Sequence, residues 1–175
     1  YEPTITSYDY DSPCAECGEL TPNFYAFKDV IEKHFGKLPD IEVSNPVLAA
    51  YGKLALTEYA PLYDNFKAMA ARRGESPAPL SMEEIGQDFG FIIYSVDVAG
   101  PIDESKLTLL GLHDRAHIYV NGELKGIKER DRRDDEVTLK LGVGESAHID
   151  ILVENMGRIN YGYELGYEDK KGIFA

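Results

Sequence analysis

A chain of 175 residues that is 43% hydrophobic and 28% charged has the make-up of one globular domain, or of one domain plus a fragment of another. Its formal net charge of −13 argues against a nucleic-acid partner, because phosphate binding needs clustered Lys and Arg; the one basic cluster, Lys128, Arg130, Arg132 and Arg133, alternates with Glu129, Asp131, Asp134 and Asp135 and reads as a solvated turn. No apolar stretch approaches the roughly 20 residues of a membrane span, so no membrane partner is expected either.

The sequence opens at YEPTITSYDYD, without Met and without a targeting pattern, which reads as a cut from a longer protein and leaves the compartment open. PTITSY suggests a short strand, followed by a loop rich in Asp, Pro and Gly. Cys14 and Cys17 lie in that loop. A C-x-x-C pair can be half a zinc site or a redox pair. Zinc needs about four ligands, and no second pair supplies them. A thioredoxin-like motif needs a strand before it and a helix directly after it, whereas Pro13 and Gly18 flank this one. Small loop residues are the preferred reading, with a disulfide open to them in an oxidising compartment. Neither a metal nor a cofactor is expected.

The clearest helix follows. Thr21 suits the cap and Pro22 the first helical position, while Phe24, Phe27, Ile31 and Phe35 fall on one face with Val30 beside them. Gly36 and Pro39 stop it. Residues 37–46 read as a linker. YGKLALTEYA (51–60) is a strand candidate. LYDNFKAMAARR is expected to form a short helix through Leu62, Phe66, Met69 and Ala70, and Ser81 with Glu84 a capping box.

Short strands dominate from residue 89 onward. FGFIIYSVDV and KLTLLGL read as strands. In RAHIYVNGELKGIKE, Asn121-Gly122 between alternating runs predicts a type I′ hairpin, since both turn residues need positive φ. EVTLKLGVGESAHIDILVEN reads as a second hairpin, and YGYELGYEDKKGIF as another strand or two. The pattern predicts a mainly β protein, a β-sandwich or jelly roll. GVGESA matches a loose dinucleotide-binding pattern, but a strand follows it where a helix is required, so a turn is expected. His113 and His117 are four apart; on a strand that is about 13 Å, too far for one ion. His117 is expected half-buried in a sheet and His113 in a loop.

LVENMGRINYG (152–162) crowds Glu154, Asn155, Arg158, Asn160 and Tyr161 around two glycines. It supports two readings. One is a structural network in which Glu154 pairs with Arg158 while Asn155 and Asn160 hold a sharp turn. The other is a sugar-binding rim. A network is buried and satisfied, whereas a rim is open with spare donors. The absence of Trp beside 12 Tyr weakens a stacking platform, and the structural reading is preferred.

Several stretches together, ITSYDYDSP with GELT, QDFGFIIYS, GLHDRAHIYVNGELKG and HIDILVENMGRINYG followed by DKKGI, resemble the β-galactosidases of glycoside hydrolase family 35. The resemblance is weakest between residues 40 and 80. It implies that residues 1–40 are the end of a (β/α)8 catalytic barrel, its last strand, loop and helix, and that 41–175 form a galactose-binding-like jelly-roll domain. The apolar helix face would then cover a barrel. The implied parent reaction is retaining hydrolysis of terminal β-D-galactose, with a galactoside and the remainder of the enzyme chain as partners. Both catalytic carboxylates of the family come from earlier barrel strands, upstream of Tyr1, so no catalytic residue is expected here. Asp9 with Asp11, and Asp134 with Asp135, sit in polar loops and turns. Tyr10 matches a family tyrosine that contacts galactose, with Asp9 expected to hold its loop. Left alone, the helix over 22–35 would expose its face and drive homo-oligomer formation or repacking. The alternative function is a carbohydrate-binding module without hydrolysis.

Overall fold

The computed structural model describes residues 10–40, 42, 44–159, 162–165, 167 and 169–174. The proposed PTITSY strand, Asp9, Asn160 and Tyr161 lie outside them. The chain divides into two compact units, Ile5–Tyr59 and Ala60–Ala175.

The first unit is built on α1 (Pro22–Phe35). Proline opens the helix and Gly36, at φ 89°, closes it by donating its N–H to Glu32 O. Thr21 takes the extended cap backbone, but its hydroxyl does not cap the helix; it donates instead to Ser12 O at 2.6 Å, tying the preceding loop down. No residue of α1 is buried, and Phe27, Val30, Ile31 and Phe35 stand exposed. Cys14 and Cys17 are exposed free thiols in the loop, which closes on itself through a Cys14–Leu20 bridge. The strand predicted over 51–60 does not form. Tyr51, Leu54, Leu56 and Tyr59 are exposed on a segment without regular secondary structure. A strand draws its stability from paired neighbours, and the described residues supply this one with none.

The second unit is mainly β. Its strands are β1 (Phe91–Ala99), β2 (Ile102–Lys106), β3 (Arg115–Val120), β4 (Glu123–Glu129), β5 (Thr138–Leu141) and β6 (Ser146–Glu154). A four-stranded antiparallel sheet runs β1-β6-β3-β4, and β2 pairs with β5 in a second sheet. Along β6, Ala147, Ile149, Ile151 and Val153 are buried at period two. From the second of these onward they join Ala116 and Ile118 of β3, with Leu112, Val137 and Ile173, in one core; Leu107, Leu109 and Leu139 pack against it from the β2–β5 side. Two sheets with one apolar layer between them make a β-sandwich.

The Asn121-Gly122 turn forms as predicted, with φ 51° and 80°. Three other strand expectations are corrected. β5 and β6 are not a hairpin: β5 pairs with β2, while β6 pairs with β1 and β3, so the 142–145 turn carries the chain from one sheet to the other. In that turn Gly142 N–H is held by Glu145 at 2.6 Å, and the GVGESA stretch opens no helix. KLTLLGL leaves its strand at Lys106 and continues irregularly, with Leu112 in the core, Leu107 and Leu109 packed against it, and Leu110 exposed. The tail after residue 162 contains no named strand among the described residues. A β-bridge joins His113 with Gly172, Met82 N–H donates to Lys171 O and Phe174 N–H to Leu110 O, and the tail buries Lys171 and Ile173.

α2 (Leu62–Met69) forms where expected, but its anchor is Tyr63. Met69 is exposed and Ala70 lies past the helix end. The Tyr63 ring stacks on Tyr119 of β3 at 3.6 Å, and its hydroxyl donates to Asp150 of β6 at 2.7 Å. Burial and the neighbouring Asp150 push the Tyr63 phenol up to about 12, so it is a proton donor throughout the ordinary range. Tyr63→Phe keeps the stack and removes one donor from a buried carboxylate. We expect a loss of about 1–3 kcal/mol, read by chemical denaturation.

Candidate functional site

The most concentrated polar chemistry lies inside the sandwich unit, around Lys171. The tail delivers this lysine to a site where its side chain has no solvent exposure. An isolated buried ammonium is very costly, so it must be paired. Its Nζ donates to both oxygens of Asp114, at 3.1 and 3.0 Å, and to Asp169 at 2.8 Å. Arg130, at the end of the β3–β4 hairpin, reaches Asp169 at 2.9 Å and Asp114 at 3.4 Å. Asp114 also accepts the Met156 N–H at 2.9 Å. His113 places Nδ1 2.7 Å from Lys170 O and 3.4 Å from Asp169.

A second ring of contacts surrounds this cluster. The Ser81–Glu84 capping box forms reciprocally: Ser81 N–H donates to Glu84 at 2.8 Å and Glu84 N–H to Ser81 Oγ at 3.2 Å. That turn aims Glu83 at the tail, where it accepts Lys171 N–H at 3.0 Å and lies 2.5 Å from an Arg158 nitrogen. Burial pushes the Glu83 carboxyl up, but the Lys171 N–H and Arg158 outweigh it, leaving the group below the usual carboxylate range. Asp169 behaves alike: burial raises it, and Lys171 and Arg130 bring it below the ordinary value. For carboxyls so shifted, the stabilisation is complete above their unfolded value, about 4, and is lost as pH falls through the lower folded value. We expect wild-type stability to fall steeply below about pH 4, and less steeply in Asp169→Asn, as followed by circular dichroism.

The LVENMGRINYG residues now have places. Asn155 holds a turn, as its Oδ1 accepts Gly157 N–H at 2.9 Å and its Nδ2 donates to Asp88 O at 3.1 Å. Arg158 does not pair with Glu154. It reaches Glu83, the carbonyl of Asp169 at 2.9 Å and that of Asp88 at 3.3 Å. Glu154 ends β6, opposite Phe91 and Arg115, and its carbonyl accepts Asp114 N–H at 3.1 Å. The reason is geometric: a residue still in the strand ladder and one past the turn point to different neighbours. Tyr10, in the other unit, is 87% exposed. His117 is half-buried on β3, where burial and the nearby Arg115 lower its pKa.

Asp114, Lys171, Asp169 and Glu83 escaped the sequence reading, and the solvated-turn reading of the basic cluster is corrected for Arg130, which is drawn onto Asp169, and for Lys128, which is buried. A buried Lys in DKKGI has no local signature, and its partner Asp114 is 57 residues away. The capping box and the crowding around Asn155 and Arg158 were the legible signals.

Chemically, the cluster is closed. Retaining glycosidases need two carboxyls about 5–5.5 Å apart with room for water and sugar. Here the carboxylates are clamped by cations and backbone N–H groups, an arrangement that fixes segments rather than moves protons. Among the described residues no group of three or more His, Cys, Asp and Glu is arranged to hold a metal ion. No helix of the described residues is long and apolar enough to cross a membrane.

Comparisons with known proteins agree with this architecture. The family model "Beta-galactosidase, first all-beta domain" matches residues 79–175, a span that holds every strand of the sandwich and the whole ion cluster. Over its full length the chain is similar to the beta-galactosidase of Bos taurus, at 39% identity and covering 27% of that protein. It is 36% identical to that of Homo sapiens, covering 26%, and 32% identical to beta-galactosidase 1 of Dictyostelium discoideum, covering 29%. The chain therefore spans less than a third of the curated relatives it matches. With its sandwich matched from residue 79 through residue 175, the chain belongs to the family of the first all-beta domain of beta-galactosidases.

Proposed function

We propose that this chain is a non-catalytic part of a glycoside hydrolase family 35 β-galactosidase, an enzyme that removes terminal non-reducing β-D-galactose with retention through a covalent galactosyl-enzyme. Residues 1–40 are the end of its (β/α)8 barrel, and 41–175 are its first jelly-roll domain, entered through the exposed segment 44–59. The two catalytic carboxylates belong to the remainder of the enzyme. Tyr10 contributes to the galactoside site from the loop ahead of α1, and the exposed apolar face of α1 packs within the assembled barrel. The observation that carries this reading is the match of the sandwich to the first all-beta domain, together with full-length similarity to beta-galactosidases. The closed Lys171 cluster supports a scaffold, because a sugar site presents spare donors and this one spends them internally.

The test is to incubate the purified chain with a chromogenic β-galactoside and to follow its thermal unfolding with and without excess galactose. No hydrolysis and no shift are expected. Hydrolysis by the chain alone would overturn the scaffold reading. A galactose-dependent rise in stability, about 2.7 kcal/mol at 100 times the dissociation constant, would replace it with a carbohydrate-binding module.

A further inference from the structure

We infer that His148 is a proton-operated clip that fastens the edge strand β1 to β6 and closes over Asp150, so that the four-stranded sheet holds its edge most tightly in mildly acidic solution.

His148 lies on the outer face of β6, opposite Asp97 of β1. Its Nδ1 is 2.7 Å from an Asp97 oxygen, and its Nε2 is 3.2 Å from an Asp150 oxygen. A neutral imidazole has one N–H and one lone pair, so it must turn the lone pair on one of these carboxylates. Only the imidazolium donates on both sides. The two carboxylates are not equivalent. Asp97 is 83% exposed and can swing into water, whereas the Asp150 side chain is 5% exposed and fixed. Deprotonation therefore releases Asp97 and opens the β1 side of the clip.

The surrounding groups leave the sign unchanged. From β1 the facing groups are Asp97 and the hydroxyl of Ser95, which donates to the Asp150 oxygen that His148 also approaches. From α2, Tyr63 donates to the other Asp150 oxygen, and Asp64 adds negative charge near Tyr63 and Tyr119 of β3. The β3–β4 turn binds only the His148 backbone, through Asn121. Among the described residues, the charged groups acting on the ring are Asp97 and Asp150, and neither is a cation. The hydrogen bond to Asp97 and the charges of both carboxylates hold His148 above the usual histidine value, against some desolvation. A raised folded value means that the contribution is complete below the unfolded value of about 6.5 and is lost as pH rises through the folded one. β1 is the strand it secures, and an edge strand has only one neighbour to hold it.

The experiment follows the His148 Cε1 proton by NMR through a pH titration of wild type and Asp97→Asn. It also measures unfolding temperatures of wild type and His148→Gln at about pH 5.5 and about pH 8, on either side of the free-histidine value. The half-exposed ring makes both variants compatible with folding. Comparing wild type with His148→Gln cancels the contribution of His117, whose shift has the opposite sign. The expected results are a His148 midpoint above about 6.5 that falls in Asp97→Asn, and a wild-type advantage in unfolding temperature that is larger at the acidic pH. A midpoint at or below about 6.5, or an advantage independent of pH, overturns the clip.

Discussion

Lys171→Met is expected to lower the stability of the sandwich unit by about 3–5 kcal/mol, the cost of leaving buried carboxylates without their cation. At roughly 2–4 °C per kcal/mol this is a fall of about 6–20 °C in unfolding temperature. Methionine fills similar space, so the loss reports charge and hydrogen bonding rather than a cavity. The side chain it replaces is fully buried and donates to both Asp114 and Asp169. Adding Asp114→Asn to Lys171→Met removes the uncompensated charge, and the double variant should lose clearly less than the sum of the single losses. Strict additivity in this cycle would mean that the two side chains do not act on each other.

Gly172→Ala, one residue on, is expected to cost about 2–5 kcal/mol for a different reason. Gly172 sits at φ +117°, and a Cβ there would lie 2.2 Å from the Tyr94 hydroxyl. That hydroxyl cannot retreat freely, because it donates to Leu80 O at 2.7 Å and accepts Ile173 N–H at 3.2 Å. The variant also strains the His113–Gly172 bridge, so faster hydrogen exchange at the His113 amide should accompany the loss. Gly144→Ala is the control. It has a comparable positive φ of +81° but nothing within 4 Å of its added Cβ, and it should cost about 1 kcal/mol. Equal losses at the two sites would show that backbone strain alone, and not the Tyr94 contact, sets the penalty.

These two positions mark where the sequence stopped being legible. Local rules worked where local physics decides. The Phe24–Phe35 spacing and Pro22 produced α1, Asn121-Gly122 produced its hairpin, and Ser81 with Glu84 produced the capping box. Strand partners were different. β5 and β6 alternate and are joined by a glycine-rich turn, as a hairpin would be, yet they pair with β2 on one side and with β1 and β3 on the other. Alternation says which face is apolar; it does not say which strand lies alongside. YGKLALTEYA has strand composition but no neighbour among the described residues. The polar cluster was the least visible part. Asn155 and Arg158 drew notice through their crowding, while the groups they serve, Asp88, Glu83 and the Asp169 carbonyl, are scattered over the sequence. A lysine beside a glycine near an acidic run looks like surface, and only the fold makes it interior.

The tail that carries Lys171 also sets an order of events. β1 is made early in the unit and must wait for β6, more than 50 residues later, before any strand can pair with it. Asp114 is made 57 residues before the lysine that neutralises it. On the ribosome, at about 5–20 residues per second, the half-made unit therefore spends several seconds with an apolar strand unpaired and Asp114 without its lysine. The buried ion cluster is complete only when the DKKGI tail emerges and delivers Lys171 to Asp114.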